Sequence, residues 1–201
     1  MLTATNLSFE RYFQPVFQPV NLRLERGRVL LVSGANGCGK TTLIRLLSGV
    51  LTPSSGELRS TANGLVYVGH LLGIKDDLSV KENLRFMQSF QAGRENESES
   101  RLAGAVQRLG LARVANQLAR SLSAGQRKRC ALARLLFGSA ELWLLDEPYT
   151  NLDEEGIATL DRMLAEHTES GGACVLATHG AHRPAVPGLE EIRIHRGAES
   201  A

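Results

Sequence analysis

The stretch Gly34-Ala35-Asn36-Gly37-Cys38-Gly39-Lys40-Thr41-Thr42 has the spacing GxxxxGK[ST], which brings together the residue types that handle phosphate. Its glycines let main-chain N–H groups close around phosphate oxygens, and a helix starting near Gly39 adds the positive end of its dipole. Lys40 would reach the β- and γ-phosphates, and Thr41 would ligate Mg²⁺. A second constellation is Asp146-Glu147, which ends the apolar run Leu142-Trp143-Leu144-Leu145. Asp146 would hold Mg²⁺ directly or through water, and Glu147 would orient and deprotonate an attacking water, as phosphoryl transfer requires. A third is Leu122-Ser123-Ala124-Gly125-Gln126, which runs into Arg127-Lys128-Arg129. It offers another helix N-terminus, a serine hydroxyl and main-chain donors for an anion.

These groups need elements to hold them. Residues 29–33 form a compact apolar strand before the glycine-rich loop, and Leu43, Ile44, Leu46 and Leu47 fall on one face of a helix after it, predicted over 39–51. Further strands are expected at 2–9, 20–24, 65–68, 141–145 and 173–177, with helices at 125–137 and 155–168. Strands alternating with helices imply a largely parallel sheet covered on both sides, with Asp146-Glu147 at the carboxyl end of a strand, where ligands of such sheets bind. Between about 79 and 120 the pattern turns helical, with a capped start at Ser79 and with Leu84, Phe86, Met87 and Phe90 taken as one apolar face. The organisation expected is a single domain over 1–201, its core formed by 1–70 and 121–201 and a helical lobe inserted over 71–120. Within that lobe, residues 91–100 read as a solvated loop, and residues 197–201 as a frayed tail.

At 201 residues, 43% hydrophobic and 22% charged, the chain is long enough to bury a substantial core, and disorder as its main state is excluded. A formal net charge of +2 speaks against a nucleic-acid partner. Cys38, Cys130 and Cys174 lack CxxC or Cys/His spacing, so neither a disulfide framework nor a zinc site is expected, and no apolar run is long enough to cross a bilayer. Membrane contact would come through a partner alone. Cys130, Cys174 and Trp143 read as core residues. Cys38 stands near Lys40 and a helix N-terminus, where a thiol pKa is lowered, or is an ordinary loop residue.

The Leu122-Ser-Ala-Gly-Gln126 stretch ahead of Asp146-Glu147, followed by Asp153 and then His179, resembles the nucleotide-binding subunits of ABC transporters. The fold this resemblance implies is α/β: a P-loop ABC-type nucleotide-binding domain with a largely parallel sheet core, N-terminal antiparallel strands and an inserted α-helical lobe. Tyr67-Val-Gly-His-Leu-Leu-Gly-Ile-Lys75, Leu142-Trp-Leu-Leu-Asp-Glu-Pro148 and Ala165-Glu-His-Thr-Glu-Ser-Gly-Gly172 leading to Ala177-Thr-His179 are similar to the CcmA family of cytochrome c biogenesis ATP-binding export proteins.

The resemblance implies a head-to-tail homodimer in which Ser123, Gly125 and Gln126 of each copy close over the other's ATP, with Asp153 at the seam. His179 would be the switch histidine beside the γ-phosphate, sharing catalysis with Glu147 and Lys40. His70 stands where most ABC proteins place a glutamine that touches Mg²⁺, and Tyr12 is the nearest candidate to stack on adenine, with Arg11 and Phe13 beside it. ATP and Mg²⁺ are the implied cofactors. A CcmB-like membrane subunit is the implied partner, with CcmC-like haem-handling proteins nearby; a coupling helix of the membrane subunit would dock over 69–84 against Leu71, Leu72 and Ile74, or those three are core residues instead. The implied location is the cytoplasmic face of the inner membrane, or the matrix face of an organelle inner membrane. The expected function is ATP hydrolysis that powers haem handling or export in c-type cytochrome biogenesis. An exporter ATPase for another substrate and a soluble ABC-type nucleotide switch are the alternatives.

Overall fold

The computed structural model describes residues 1–92, 98–178 and 182–197. Its chain forms two compact units, Met1–Gly69 with Ala140–Pro148 and Met163–Ala201, and His70–Ser139 with Tyr149–Arg162.

The first unit opens with β1 (Leu2–Ser8), a two-residue pair β2 (Glu10–Arg11) and β3 (Gln14–Pro15), and β4 (Val20–Leu24). Then follow β5 (Val29–Ser33), α1 (Lys40–Leu47), β6 (Ser55–Ser60) and β7 (Leu65–Val68). Antiparallel pairing in the order β4-β1-β6 makes a three-stranded sheet. In β1 the residues Leu2, Ala4 and Leu7 are buried while their neighbours face out, the alternation a sheet covered on one side requires, with a register shift between Ala4 and Leu7.

The second sheet is the frame of the site. It consists of β5 and β7 with β8 (Leu142–Asp146), β9 (Ala173–Ala177) and β10 (Leu189–Arg193), all parallel, in the order β10-β5-β9-β8-β7. Every residue of β8 and β9 is buried, which explains why these strands read as continuous apolar runs and not as alternating ones. The parallel core and the antiparallel N-terminal strands are those expected from the sequence. β10 was not anticipated: its Leu-Glu-Glu-Ile-Arg has three exposed members, as an edge strand allows. Trp143 packs in the core, its ring stacked on that of His167 at 3.8 Å between centroids and 6° between planes.

Helix α1 ends at Leu47, earlier than predicted. Ser48 caps it through main-chain bonds, and Gly49 takes a φ of 75°, which turns the chain out of the helix.

The second unit contains α2 (Val80–Ala92), α3 (Glu99–Arg108), short 3₁₀ turns at Ala112–Val114 and Ala119–Ser121, α4 (Ala124–Leu132) and α5 (Arg134–Phe137). The chain of α6 (Glu154–Glu169) supplies residues to both units. Ser79 and Glu82 form the predicted cap of α2, each bonding the other's main-chain or side-chain groups. Leu84 and Met87 are buried, but Phe86 and Phe90 are exposed. The four residues were expected on one face; a residue two positions from Leu84 points to the opposite side of a helix, so they divide. The helix predicted over 125–137 is interrupted at Ala133. The loop predicted over 91–100 is shorter, because α2 runs on through 91–92 and α3 begins at Glu99 with Ser98 as its cap; residues 93–97 of that loop and 198–201 of the predicted tail lie outside the described residues.

Candidate functional site

Parallel pairing brings the first two constellations to one edge of the sheet. Val32 in β5 and Asp146 in β8 are both in register with Ala177 of the strand between them, so the chain leaves β5 and β8 at the same level. From the end of β5 the loop 34–39 leads to α1. Gly39 occupies the N-cap position with a φ of 103°, and a Cβ there would lie 2.8 Å from the ring of the fully buried Phe17. Only glycine satisfies both demands.

Lys40 is buried, and its Nζ donates to the carbonyl oxygens of Gly34 at 2.8 Å and Ala35 at 3.1 Å. The ammonium is thereby curled over the loop that Ala35, Asn36, Gly37 and Cys38 complete, with the Cys38 amide donating to the Ala35 carbonyl at 3.2 Å. Cys38 and Thr42 are buried beneath it. Thr41 donates from Oγ1 to Oδ1 of Asp146 at 3.1 Å. Asp146 is 1% exposed, and its Oδ2 is buried with no hydrogen-bond partner among the described residues.

A buried carboxylate oxygen without a donor is costly. A hydroxyl beside it, at the mouth of a phosphate-binding loop, makes a donor set of hard oxygens. These residues fit Mg²⁺, which takes one or two protein oxygens and completes its octahedron with water and phosphate.

Glu147 follows with a φ of 49°, its amide donating to the Ala177 carbonyl at 2.9 Å. A glutamate in the left-handed region is uncommon, and such positions gather where a side chain must be aimed at a reaction. Tyr12 and Phe13 form the tip of the β2–β3 hairpin, both at positive φ and both almost fully exposed; their rings are free to stack on a planar ligand. His179 lies outside the described residues.

In the second unit, Ser123 caps α4. Its Oγ accepts from the Gln126 amide at 3.2 Å, while Gln126 Oε1 accepts from the Ser123 amide at 3.0 Å. The hydroxyl proton of Ser123 and the side-chain NH₂ protons of Gln126 are not consumed by this reciprocal pair and stay available to an anion. Ser123, Gly125, Gln126, Asn151 and Asp153 line one concavity of about 400 Å³ together with Arg129.

Asp153 accepts from the Gly156 amide at 2.9 Å and from the Arg129 guanidinium. These bonds, the Gly156 amide first, hold its carboxyl below the usual aspartate range. Arg129 was read only as part of a basic cluster in the sequence. Its signal was one helical turn of spacing from Gln126, which puts it on the same side of the helix. His70 is exposed at the start of this unit.

The fold defines the class of protein, and known proteins share it. The chain can be superposed on the ATP-binding subunit of an ABC transporter with a TM-score of 0.80, at 22% identity over 99% of this chain and 90% of the other. It also matches a dimeric ATP-binding cassette in a post-hydrolysis state bound to ADP and Pi, with a TM-score of 0.83, at 20% identity over 99% and 98%. At such identities the likeness is one of fold. The ABC transporter family model matches residues 17–150.

Closer relatives are the cytochrome c biogenesis ATP-binding export proteins CcmA of Xanthomonas campestris pv. campestris and Cupriavidus necator. The first is 45% identical over 90% of this chain and 88% of the relative, the second 42% over 96% and 88%. The chain belongs to the ABC transporter family and, within it, to the CcmA family. As a member it is an ATP-hydrolysing transporter subunit.

Proposed function

We propose that the chain hydrolyses ATP to drive haem handling or export in c-type cytochrome biogenesis, working as a head-to-tail dimer on a CcmB-like membrane subunit. The observation that carries the hydrolytic part is the contact between Thr41 and Asp146 at the mouth of the phosphate loop, with Glu147 next in the chain. The relatives' shared name and their 45% and 42% identity support the cytochrome c assignment. No helix among the described residues is long and apolar enough to cross a membrane; the location we propose, attachment through the membrane subunit at the cytoplasmic face of the inner membrane, rests on the relatives' name as export proteins.

In this reading the amides of 34–40 and the Lys40 ammonium hold the β- and γ-phosphates, and Tyr12 stacks on adenine. Thr41 and Asp146, with His70 from the following segment, hold Mg²⁺, which supplies neutralisation of charge on the phosphate oxygens. Glu147 takes the proton of the attacking water, and His179 orients that water. Ser123, Gly125 and Gln126 of the second copy donate to the γ-phosphate, and Asp153 meets the seam. ATP binding closes the pair, and loss of the γ-phosphate reopens it. CcmC-like proteins would receive or present the haem.

Replacing the only copy with Glu147→Gln tests the whole reading, after ATP binding by the variant has been verified. Loss of covalently haem-stained c-type cytochromes, with other membrane proteins unaffected, is the expected result. Normal staining would remove the cytochrome assignment and turn the search to an exporter of another substrate.

A further inference from the structure

The segment between Gly69 and Ser79 has no helix or strand of its own, so its main-chain groups must find partners elsewhere. Part of that need is met by Asn83, which accepts from the Lys75 amide at 2.8 Å and donates to the carbonyls of Lys75, Leu78 and Ser79. The Ala119 and Arg120 amides donate to the carbonyls of Leu78 at 2.9 Å and Asp76 at 3.2 Å, and two arginines further along the chain add side-chain bonds. Arg134, half-buried on α5, donates to the Leu72 carbonyl at 2.6 Å. Arg127 on α4 pairs with Asp76 at 2.6 Å while also donating to the Ala119 carbonyl at 2.9 Å.

Gly73 shows how close this fastening is. Its φ is 64°, and a Cβ would come within 3.0 Å of Arg134 Nη2. This accounts for the glycine in the Gly69-His-Leu-Leu-Gly73-Ile-Lys75 stretch, which the nucleotide chemistry leaves unexplained. Leu71, 83% exposed, stands on the same segment.

We infer that Arg127 and Arg134 are positioning residues that clamp the 70–78 segment to α4, whose start carries Ser123, Gly125 and Gln126, and to α5 directly after it. A load on the segment, applied through Leu71 by the membrane subunit, is then delivered toward the phosphate-contacting turn through two guanidinium groups, one on α4 and one on the short helix α5 that follows it. The inference rests on the proposed role of Ser123 and Gln126 as contacts to ATP. Arg127 is only 28% exposed and its bond to Asp76 is charge-assisted on both sides, so its loss is expected to be felt. The pair of Arg120 with Asp77, 3.3 Å apart and exposed on both sides, adds little.

The test uses the full chain assembled with its membrane subunit in vesicles, comparing Asp76→Arg, Arg127→Asp and the doubly exchanged variant, with Asp76→Asn as a milder substitute should a reversal fail to fold. ATP affinity, measured with a fluorescent analogue, should stay within about twofold of the parent, because the phosphate loop is untouched. The turnover number of the single variants should fall about tenfold, the scale of a lost charged hydrogen bond, with KM little changed. The double exchange should recover most of that loss, which ties it to the pair, and lowered turnover at unchanged ATP affinity and melting temperature is the split a merely structural role would not produce.

Parent-like turnover in the singles, or a double variant as slow as the worse single while folded and binding ATP, overturns the clamp. Glu147→Gln in the same vesicles separates the two ideas. If it hydrolyses ATP normally the proposed function fails, whereas the clamp fails only on the reversal series.

Discussion

Thr41 and Asp146 stand 105 positions apart in sequence, yet the hydroxyl of one donates to the carboxylate of the other at 3.1 Å. The parallel register of β5, β9 and β8 makes this possible, and the second carboxylate oxygen is left buried with no hydrogen-bond donor among the described residues. Thr41→Val is therefore expected to weaken ATP binding about tenfold in the presence of Mg²⁺ and hardly at all in EDTA, since a divalent ion loses one hard ligand. Nucleotide titrations in both buffers check this. Equal weakening in both would assign the hydroxyl to the loop and not to the ion.

Ser123 offers a way to separate holding a helix from contacting phosphate. Ser123→Ala removes the cap and should cost roughly 1 kcal/mol of stability. Ser123→Asp keeps an acceptor for the Gln126 amide and so restores the melting temperature, but it sets a negative charge toward the anion. Turnover should be lost in both, and thermal melts with steady-state hydrolysis provide the comparison. Recovery of hydrolysis by the aspartate would mean that only the cap matters.

The stacked ring of His167 supplies a pH dependence with a definite sign. Burial pushes its pKa below 6.5, against an opposing effect of main-chain groups of Ala173 and Glu141. The unfolded chain therefore takes up a proton before the folded one does. Stability contributed by the neutral ring is complete above about pH 6.5 and is lost as pH falls from there toward the lowered folded value. His167→Phe, which keeps a flat ring against Trp143, should flatten the decline of melting temperature between pH 7.5 and 5.5. An unchanged slope would assign that decline to other groups.

Thiol chemistry should follow burial. Cys130 has its pKa pushed up to about 12 by burial, outweighing Arg127 and Arg134, and fully buried Cys174 is also pushed up. Neither should react with maleimide in the folded chain. Cys38, buried in the phosphate loop, is the position expected to label slowly and to be protected by ATP. Peptide mapping after timed labelling decides, and early modification of Cys174 would contradict the packing.

The central strands were legible in the sequence because burial on both faces forces an unbroken apolar run. β5, β7 and β9 lie where those runs predicted them. β10 was not legible, since an edge strand with exposed glutamates resembles a loop until its neighbour is known. Phe86 and Phe90 misled because hydrophobicity alone does not say which side of a helix is covered. Among site residues the phosphate loop and Asp146-Glu147 were readable from spacing. The bond from Arg129 to Asp153 was not, as it joins an arginine in a basic run to a loop that only folding brings near. The two guanidinium fastenings of the 70–78 segment escaped for the same reason.

The reciprocal bonds between Ser123 and Gln126 have an evolutionary consequence. The two residues secure the start of their helix and, in the reading above, also face the nucleotide, so a mutation that removes the cap is penalised twice, in folding yield and in turnover. A substitution that keeps the cap, as Ser123→Asp does, is still penalised in turnover. Sequence change in this lineage should collect elsewhere, on surfaces such as the exposed strand β6, where one substitution has one effect.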